Sequence, residues 1–211
     1  MKIKIWSDIM CPFCYIGKRN FENALAQFGR ADELEIEWKS FQLDPTIPKM
    51  KQRVDVYEYL ATSKGISIED SKAMHENVVR MAKSVGLEYN FDRAVIANSF
   101  DAHRLIQFAK SKGLGDEIEE ALFAAYFTNG LDISDLDTLT KIGSSIGLSP
   151  IELETILHSE DFKSEVQNDI LEAQKYGVRG VPYFVLDDKY AISGAQPSSV
   201  FLEALEKTFN S

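Results

Sequence analysis

Ile9-Met10-Cys11-Pro12-Phe13-Cys14 is the stretch on which the fold turns. Upstream, Ile3 and Ile5 alternate with lysines and the run ends at Trp6, the period-two pattern of a strand. Downstream, Phe21, Ala24, Leu25 and Phe28 recur at helical spacing before Gly29. Cys11 therefore stands where a strand gives way to a helix, with Pro12 suited to the first helical position. A sulfur there faces the unpaired N–H groups and positive pole of the helix, which favour the nucleophilic thiolate. Cys14 follows one turn later, so the two side chains can meet, with Cα atoms about 5.5 Å apart and within disulfide range. The asymmetry sets the roles: Cys11 exchanges with a substrate sulfur, and Cys14 resolves the mixed disulfide.

A Cys-x-x-Cys pair is also compatible with zinc, which needs two further ligands, normally cysteine or histidine. The chain has no other cysteine, and His75, His103 and His158 are not spaced as ligands. Placement at a strand-to-helix junction favours redox chemistry; a zinc-binding interaction module and a chance pair stand as the alternatives. Two cysteines are too few for a secreted disulfide scaffold.

Beyond the first helix, Leu34, Ile36 and Trp38 alternate with Glu35, Glu37 and Lys39, a half-buried strand. The parity changes at Phe41 and Leu43, which places a bulge or the strand end near Ser40. From about 52 to 176 the pattern is helical almost throughout, with about seven helices. Capping signals open four of them: Ser67 with Asp70, Asn98 with Asp101, Ser134 with Asp137, and Ser149 with Pro150 and Glu152. Others begin near Gln52, Asp116 and Glu160. Met74, Val78, Met81 and Val85 form a helical stripe that reads as core, while His75 and His158 read as surface.

Val181 to Leu186 is a short apolar run, Asp187-Asp188 a turn and Lys189 to Ser193 a second strand; Gly194 and Pro197 lead into a last helix. The expected architecture is an α/β domain formed by 1–48 and 177–211, interrupted by a helical domain over 49–176. A doubly wound sheet is excluded, because too few strands remain. Pro182 reads first as a strand-start proline. A cis Val181–Pro182 bond beside the thiols would instead turn the Val181 N–H and C=O toward an extended substrate segment.

Composition narrows the function classes. The chain has 211 residues, 45% hydrophobic and 27% charged, the profile of a globular protein rather than a disordered one. No apolar run approaches a membrane span, and the first eight residues do not read as a secretory segment. A cytoplasmic location is expected, with no membrane partner. The net charge of −10, with Lys49, Lys51 and Arg53 as the densest basic cluster, argues against nucleic acid.

The motifs also carry a resemblance. Cys11-Pro12-Phe13-Cys14, Phe41-Gln42-Leu43-Asp44-Pro45, Ala102-His103-Arg104-Leu105, Gly180-Val181-Pro182 and Ser193-Gly194-Ala195-Gln196-Pro197 occur in that order and span nearly the whole chain. Together they are similar to the FrnE-like dithiol oxidoreductases, a branch of the DsbA family. The resemblance implies a thioredoxin-like fold with a large all-helical insertion. Its activity is thiol–disulfide exchange with protein or small-thiol substrates, and no tightly bound cofactor is expected. By resemblance Cys11 is the attacking thiol, Cys14 the resolving one and Pro182 the cis proline. Glutathione is a candidate co-substrate.

The same fold includes 2-hydroxychromene-2-carboxylate isomerases and kappa-class glutathione transferases, similar in the insertion and around Ala102 to Leu105. Those relatives typically carry serine where Cys11 stands, so two cysteines favour redox exchange, with glutathione-dependent isomerisation or transfer as the alternative. Some FrnE relatives carry a further C-terminal cysteine pair that this chain lacks. Phe13, between the thiols, offers Cys11 no charge, unlike the histidine of some DsbA enzymes. A less acidified Cys11 and a less oxidising pair are the expectation, with Phe13 otherwise an apolar docking lid. His103 is a candidate proton-transfer residue facing the thiols, or else an interface histidine. Gln196 is a candidate contact for a substrate or glutathione backbone, or else a turn residue.

Overall fold

The structure, a computed structural model, describes residues 1–49 and 54–210. The helix start expected near Gln52, and Lys51 and Arg53 of the basic cluster, lie outside the described residues. The chain divides into two compact units: Met1–Leu43 with Val166–Ser211, and Asp44–Glu165.

The first unit holds β1 (Lys2–Ser7), α1 (Pro12–Phe28), β2 (Glu35–Ser40), most of α8 (Lys163–Lys175), β3 (Tyr183–Leu186), β4 (Tyr190–Ser193) and α9 (Ser198–Phe209). The strands form one sheet in the order β2-β1-β3-β4, with β1 and β2 parallel and β3 antiparallel to both β1 and β4. A parallel pair needs a crossover, which α1 supplies. Ile3 and Ile5 point to one face, where Phe21 and Ala24 of α1 and Phe201 and Leu205 of α9 close the core around Phe184. Trp6 points to the other face and packs with Ala173, Val178 and Val185, its indole N–H donating to the Asp169 carbonyl at 2.9 Å. At the edge, β2 is less covered than its alternation implies: Trp38 is buried but Ile36 is exposed. The strand ends at Ser40, where the parity changes.

The lysine side of β1 is covered as well. Lys4 Nζ lies 3.1 Å from Glu172 and 3.2 Å from Asp188, and donates to the Tyr176 hydroxyl at 2.8 Å. Lys39 Nζ lies 2.6 Å from Glu37 and 3.1 Å from both Asp169 and Glu172. Asp169 also accepts the Ser40 backbone N–H at 2.9 Å. These contacts draw most of α8 into the sheet unit. The unit boundaries therefore fall at Leu43/Asp44 and Glu165/Val166, not at 48/49 and 176/177. Apolar periodicity alone could not assign this helix, because charged contacts join the packing of Ala173 against Trp6 in anchoring it to the sheet.

This network fixes a pH dependence. Burial works against the Glu172 carboxylate, but hydrogen bonds from Lys4 and Lys39 outweigh it and hold its pKa below the usual range. Burial likewise opposes the Lys4 and Lys39 charges, yet their hydroxyl and carboxylate partners raise both above the usual lysine range. Glu172 contributes stability above its unfolded pKa of about 4.3, lost as pH falls through the lower folded value. The lysines contribute below about 10.4, and that contribution is lost as pH rises toward their folded values. Thermal melts are expected to show a plateau from about pH 5 to 10 with a fall on either side. A melting temperature rising as pH drops from 5 to 3 would contradict the assignment.

The second unit holds α2 (Val56–Lys64), α3 (Ile68–Ser84), α4 (Phe100–Ser111), α5 (Gly115–Phe123), α6 (Leu136–Ser145) and α7 (Pro150–Leu157). Ser67 and Ser149 cap α3 and α7 as expected, accepting from the Asp70 and Glu152 N–H groups. Asp135, not Ser134, caps α6 by accepting from Thr138 N–H, while the Ser134 hydroxyl bonds Asp132. Asn98 precedes the cap residue Ser99 and accepts from Phe100 N–H. Met74 and Met81 are 41% and 42% exposed, so their stripe is not core. The buried side of α3 is instead marked by the small residues Ser71 and Ala82. His158 is exposed, but His75 is half-buried, edge-on between Tyr57 and Phe91 with Nδ1 2.8 Å from the Ser71 carbonyl. Among the described residues no helix is long and apolar enough to cross a membrane.

Candidate active site

Leaving β1, the chain makes a tight turn before α1. Cys11 N–H donates to the Asp8 carbonyl at 2.9 Å and Cys14 N–H to the Cys11 carbonyl at 3.0 Å. Cys11 is the N-cap, in extended conformation, and Pro12 begins the helix. The buried Asp8 carboxylate anchors the turn, accepting from Met10 N–H at 3.2 Å and from Leu43 N–H, beyond β2, at 2.7 Å. The Cys11 and Cys14 N–H groups at the helix start are thus engaged locally, and Pro12 has none to offer.

The Val181–Pro182 peptide bond is cis. The Cys11 thiol donates to the Val181 carbonyl at 3.3 Å. That contact departs from the sequence expectation, in which the carbonyl faces a substrate. It also leaves Cys11 3% exposed, more enclosed than a bare helix tip. Cys14 is 1% exposed and lies against Cys11, toward which its thiol donates. Burial pushes the Cys14 thiol well above its ordinary range, and the Cys11 sulfur pushes the same way; the Asp8 N–H and the Ser7 hydroxyl pull it back. Cys14 therefore holds its proton at neutral pH.

Of the other expected site residues, Phe13 lies on the first turn of α1 and is 38% exposed, an apolar surface beside the thiols in sequence. The Gln196 amide folds back onto the Ser193 carbonyl at 3.0 Å, a turn contact near the start of α9. His103 is buried in α4, within the second unit. The structure thus brings together Cys11, Cys14, Val181 and Pro182. Among the described residues no group of three or more His, Cys, Asp and Glu side chains converges on a metal position.

Two residues of the site escape a reading of the motif: Asp8 and Gly17. A Cβ built on Gly17 would stand 2.9 Å from Pro182 Cγ and 3.6 Å from Phe184 Cζ. Only a residue without a side chain lets α1 lie this close to Pro182, and a glycine inside a helix, three residues after Cys14, is the available signal. Gly17→Ala gains about 1 kcal/mol of helix propensity but overpacks a ring that cannot turn away, which costs about 1–3 kcal/mol. The denaturation midpoint is expected to fall; a rise would show that the contact is relieved without cost.

A family model described as DSBA-like thioredoxin domain matches residues 2–206. YwbO, an uncharacterised protein of Bacillus subtilis, is 30% identical over 208 residues, which are 96% of this chain and 94% of that protein. The crystal structure of a probable DsbA oxidoreductase from Streptomyces coelicolor is 36% identical, with TM-score 0.95 over 100% of this chain and 91% of that one. The cytosolic disulfide reductase DsbM of Pseudomonas aeruginosa, at 16% identity and TM-score 0.70, shares the fold over 100% of this chain and 99% of its own.

Proposed function

The chain belongs to the DSBA-like thioredoxin domain family, and on that premise we propose that it is a dithiol–disulfide oxidoreductase acting through Cys11 and Cys14. The observation that carries the reading is the asymmetry of the pair. One cysteine stands at the N-cap position of α1 and its thiol donates to a backbone carbonyl, while the other is buried one turn later and keeps its proton. Cys11 attacks a substrate disulfide, forming a mixed disulfide and releasing one substrate thiolate. Cys14 then displaces the second substrate sulfur and closes the intramolecular disulfide. Val181 and Pro182 flank the captured sulfur, and a substrate strand takes over the Val181 carbonyl when Cys11 releases it.

The five ordered motifs resemble those of the FrnE-like branch, to which we assign the chain, and we assign it to the cytosol, with protein disulfides and glutathione as partners. The glutathione pool there lies at about −220 to −260 mV by extraction. A pair about 60 mV more oxidising is held reduced by about 2.8 kcal/mol and runs as a reductase or isomerase. DsbM, a cytosolic reductase also solved with glutathione, supports this setting through its fold.

The test is turnover of a disulfide-bonded protein substrate with glutathione as reductant. Cys14→Ala is expected to stop turnover while Cys11 still captures glutathione. Glutathione conjugation or isomerisation that survives Cys14→Ala would establish the isomerase or transferase reading instead.

A further inference from the structure

The segment that leads into Pro182 carries a set of unused polar groups. Val178 anchors it, packed with Trp6, Ala173 and Val185, and its N–H donates to the Ala173 carbonyl at 3.0 Å. Beyond that anchor Arg179 is exposed, and Gly180 and Val181 are half-buried. Among the described residues the N–H groups of Arg179, Gly180 and Val181 find no acceptor, and the Arg179 guanidinium makes no ion pair, hydrogen bond or ring contact. By contrast Lys2, Lys4, Lys18, Arg19, Arg30 and Lys39 of the same unit all meet carboxylates, as an excess of 33 acids over 23 bases favours. A Cβ built on Gly180 would meet nothing within 4 Å, so the ledge between Arg179 and Val181 is open.

We propose that Arg179 is a specificity-determining residue for glutathione, its guanidinium pairing with the glycine carboxylate while the glutathione cysteine lies antiparallel to Val181. The inference rests on the dithiol reading above and deepens its choice of partner. From Arg179 to Val181 the chain spans at most about 7 Å, and the same limit holds from the glutathione cysteine to the carboxylate that ends the next residue. An antiparallel ligand runs back over Gly180, so its terminal carboxylate arrives at the guanidinium and its carbonyl oxygens meet the unpaired N–H groups. A guanidinium holds a carboxylate through two parallel N–H donors. In the capture step the Cys11 thiol gives up its proton and its sulfur bonds one sulfur of glutathione disulfide. The glutathione sulfur–sulfur bond breaks, and the departing sulfur leaves as a thiolate and takes up a proton. Cys11 is oxidised to the disulfide level, and the departing glutathione is reduced to its thiol.

The test mixes the reduced chain with excess glutathione disulfide, or with its amide analogue, in which each glycine carboxylate is a carboxamide. Disappearance of the reduced mass after acid quenching reports capture. The parent chain is expected to react about fivefold faster with glutathione disulfide than with the amide, the scale of an exposed ion pair. Arg179→Gln removes that preference, slowing the first reaction about fivefold and leaving the second within about twofold. Arg179 is exposed and makes no polar side-chain contact among the described residues, so the variant is expected to fold as the parent does. Equal rates for the two probes in the parent chain, or a preference that Arg179→Gln retains, overturn the proposal while leaving the oxidoreductase reading intact. A parent chain that reacts with neither probe overturns that reading, and the proposal with it.

Discussion

Cys11→Ser is expected to lower disulfide exchange by about 10³-fold or more, the scale on which loss of a nucleophile acts. A serine oxygen cannot form the sulfur–sulfur bond that the mechanism passes through. The exchange removes no atoms from the packed site, and a hydroxyl can still donate to the Val181 carbonyl that now accepts from the thiol at 3.3 Å. Stability should therefore change by less than about 1 kcal/mol, so lost activity cannot be ascribed to unfolding. The paired measurement is circular dichroism with turnover of a disulfide substrate. Retained exchange in a folded Cys11→Ser protein would remove Cys11 from the attacking role.

Lys39→Met should produce the largest loss of stability, about 3–5 kcal/mol. Lys39 joins Glu37 on its own strand to Asp169 and Glu172 on α8, and Asp169 is buried. Without the ammonium, the Asp169 carboxylate loses its cation while still committed to the Ser40 N–H. For a chain of this size that corresponds to a melting temperature lower by about 6–20 °C. Lys39→Met with Asp169→Asn should recover most of the loss, because asparagine keeps an acceptor for Ser40 and removes the stranded charge. A double variant no more stable than Lys39→Met would show that the loss is packing rather than charge.

How far the fold was legible follows from which signals are local. The strand-to-helix junction at Cys11 and Pro12, the caps at Ser67 and Ser149, and the alternation of Ile3 and Ile5 depend on neighbouring residues, and the structure places them as the pattern implies. Features set by distant partners were hidden. Lysines alternating on β1 look solvent-facing until α8 brings Glu172 over Lys4. Met74 and Met81 are periodic and apolar, yet α3 turns its small residues inward, so periodicity identified the helix but not its buried side.

The same division runs through the site. Cys11, Cys14 and Pro182 announce themselves by residue type. Gly17 matters only because α1 and the Pro182 turn converge, and it carries no spacing signal that periodicity detects. The enclosure of Cys11 beneath the Val181 carbonyl was also invisible, since 170 residues separate the two. Nothing in a helix-start motif specifies what lies over it.

Equilibrating the purified chain in glutathione buffers of graded potential, quenching with acid and weighing the products bears most directly on the pair. The expected result is one two-electron transition to a species lacking two hydrogens, with Cys11 joined to Cys14 and only a trace of glutathionylated intermediate. A chain in which neither sulfur oxidises, or in which glutathione stays on Cys11 as the end product, would contradict the dithiol mechanism.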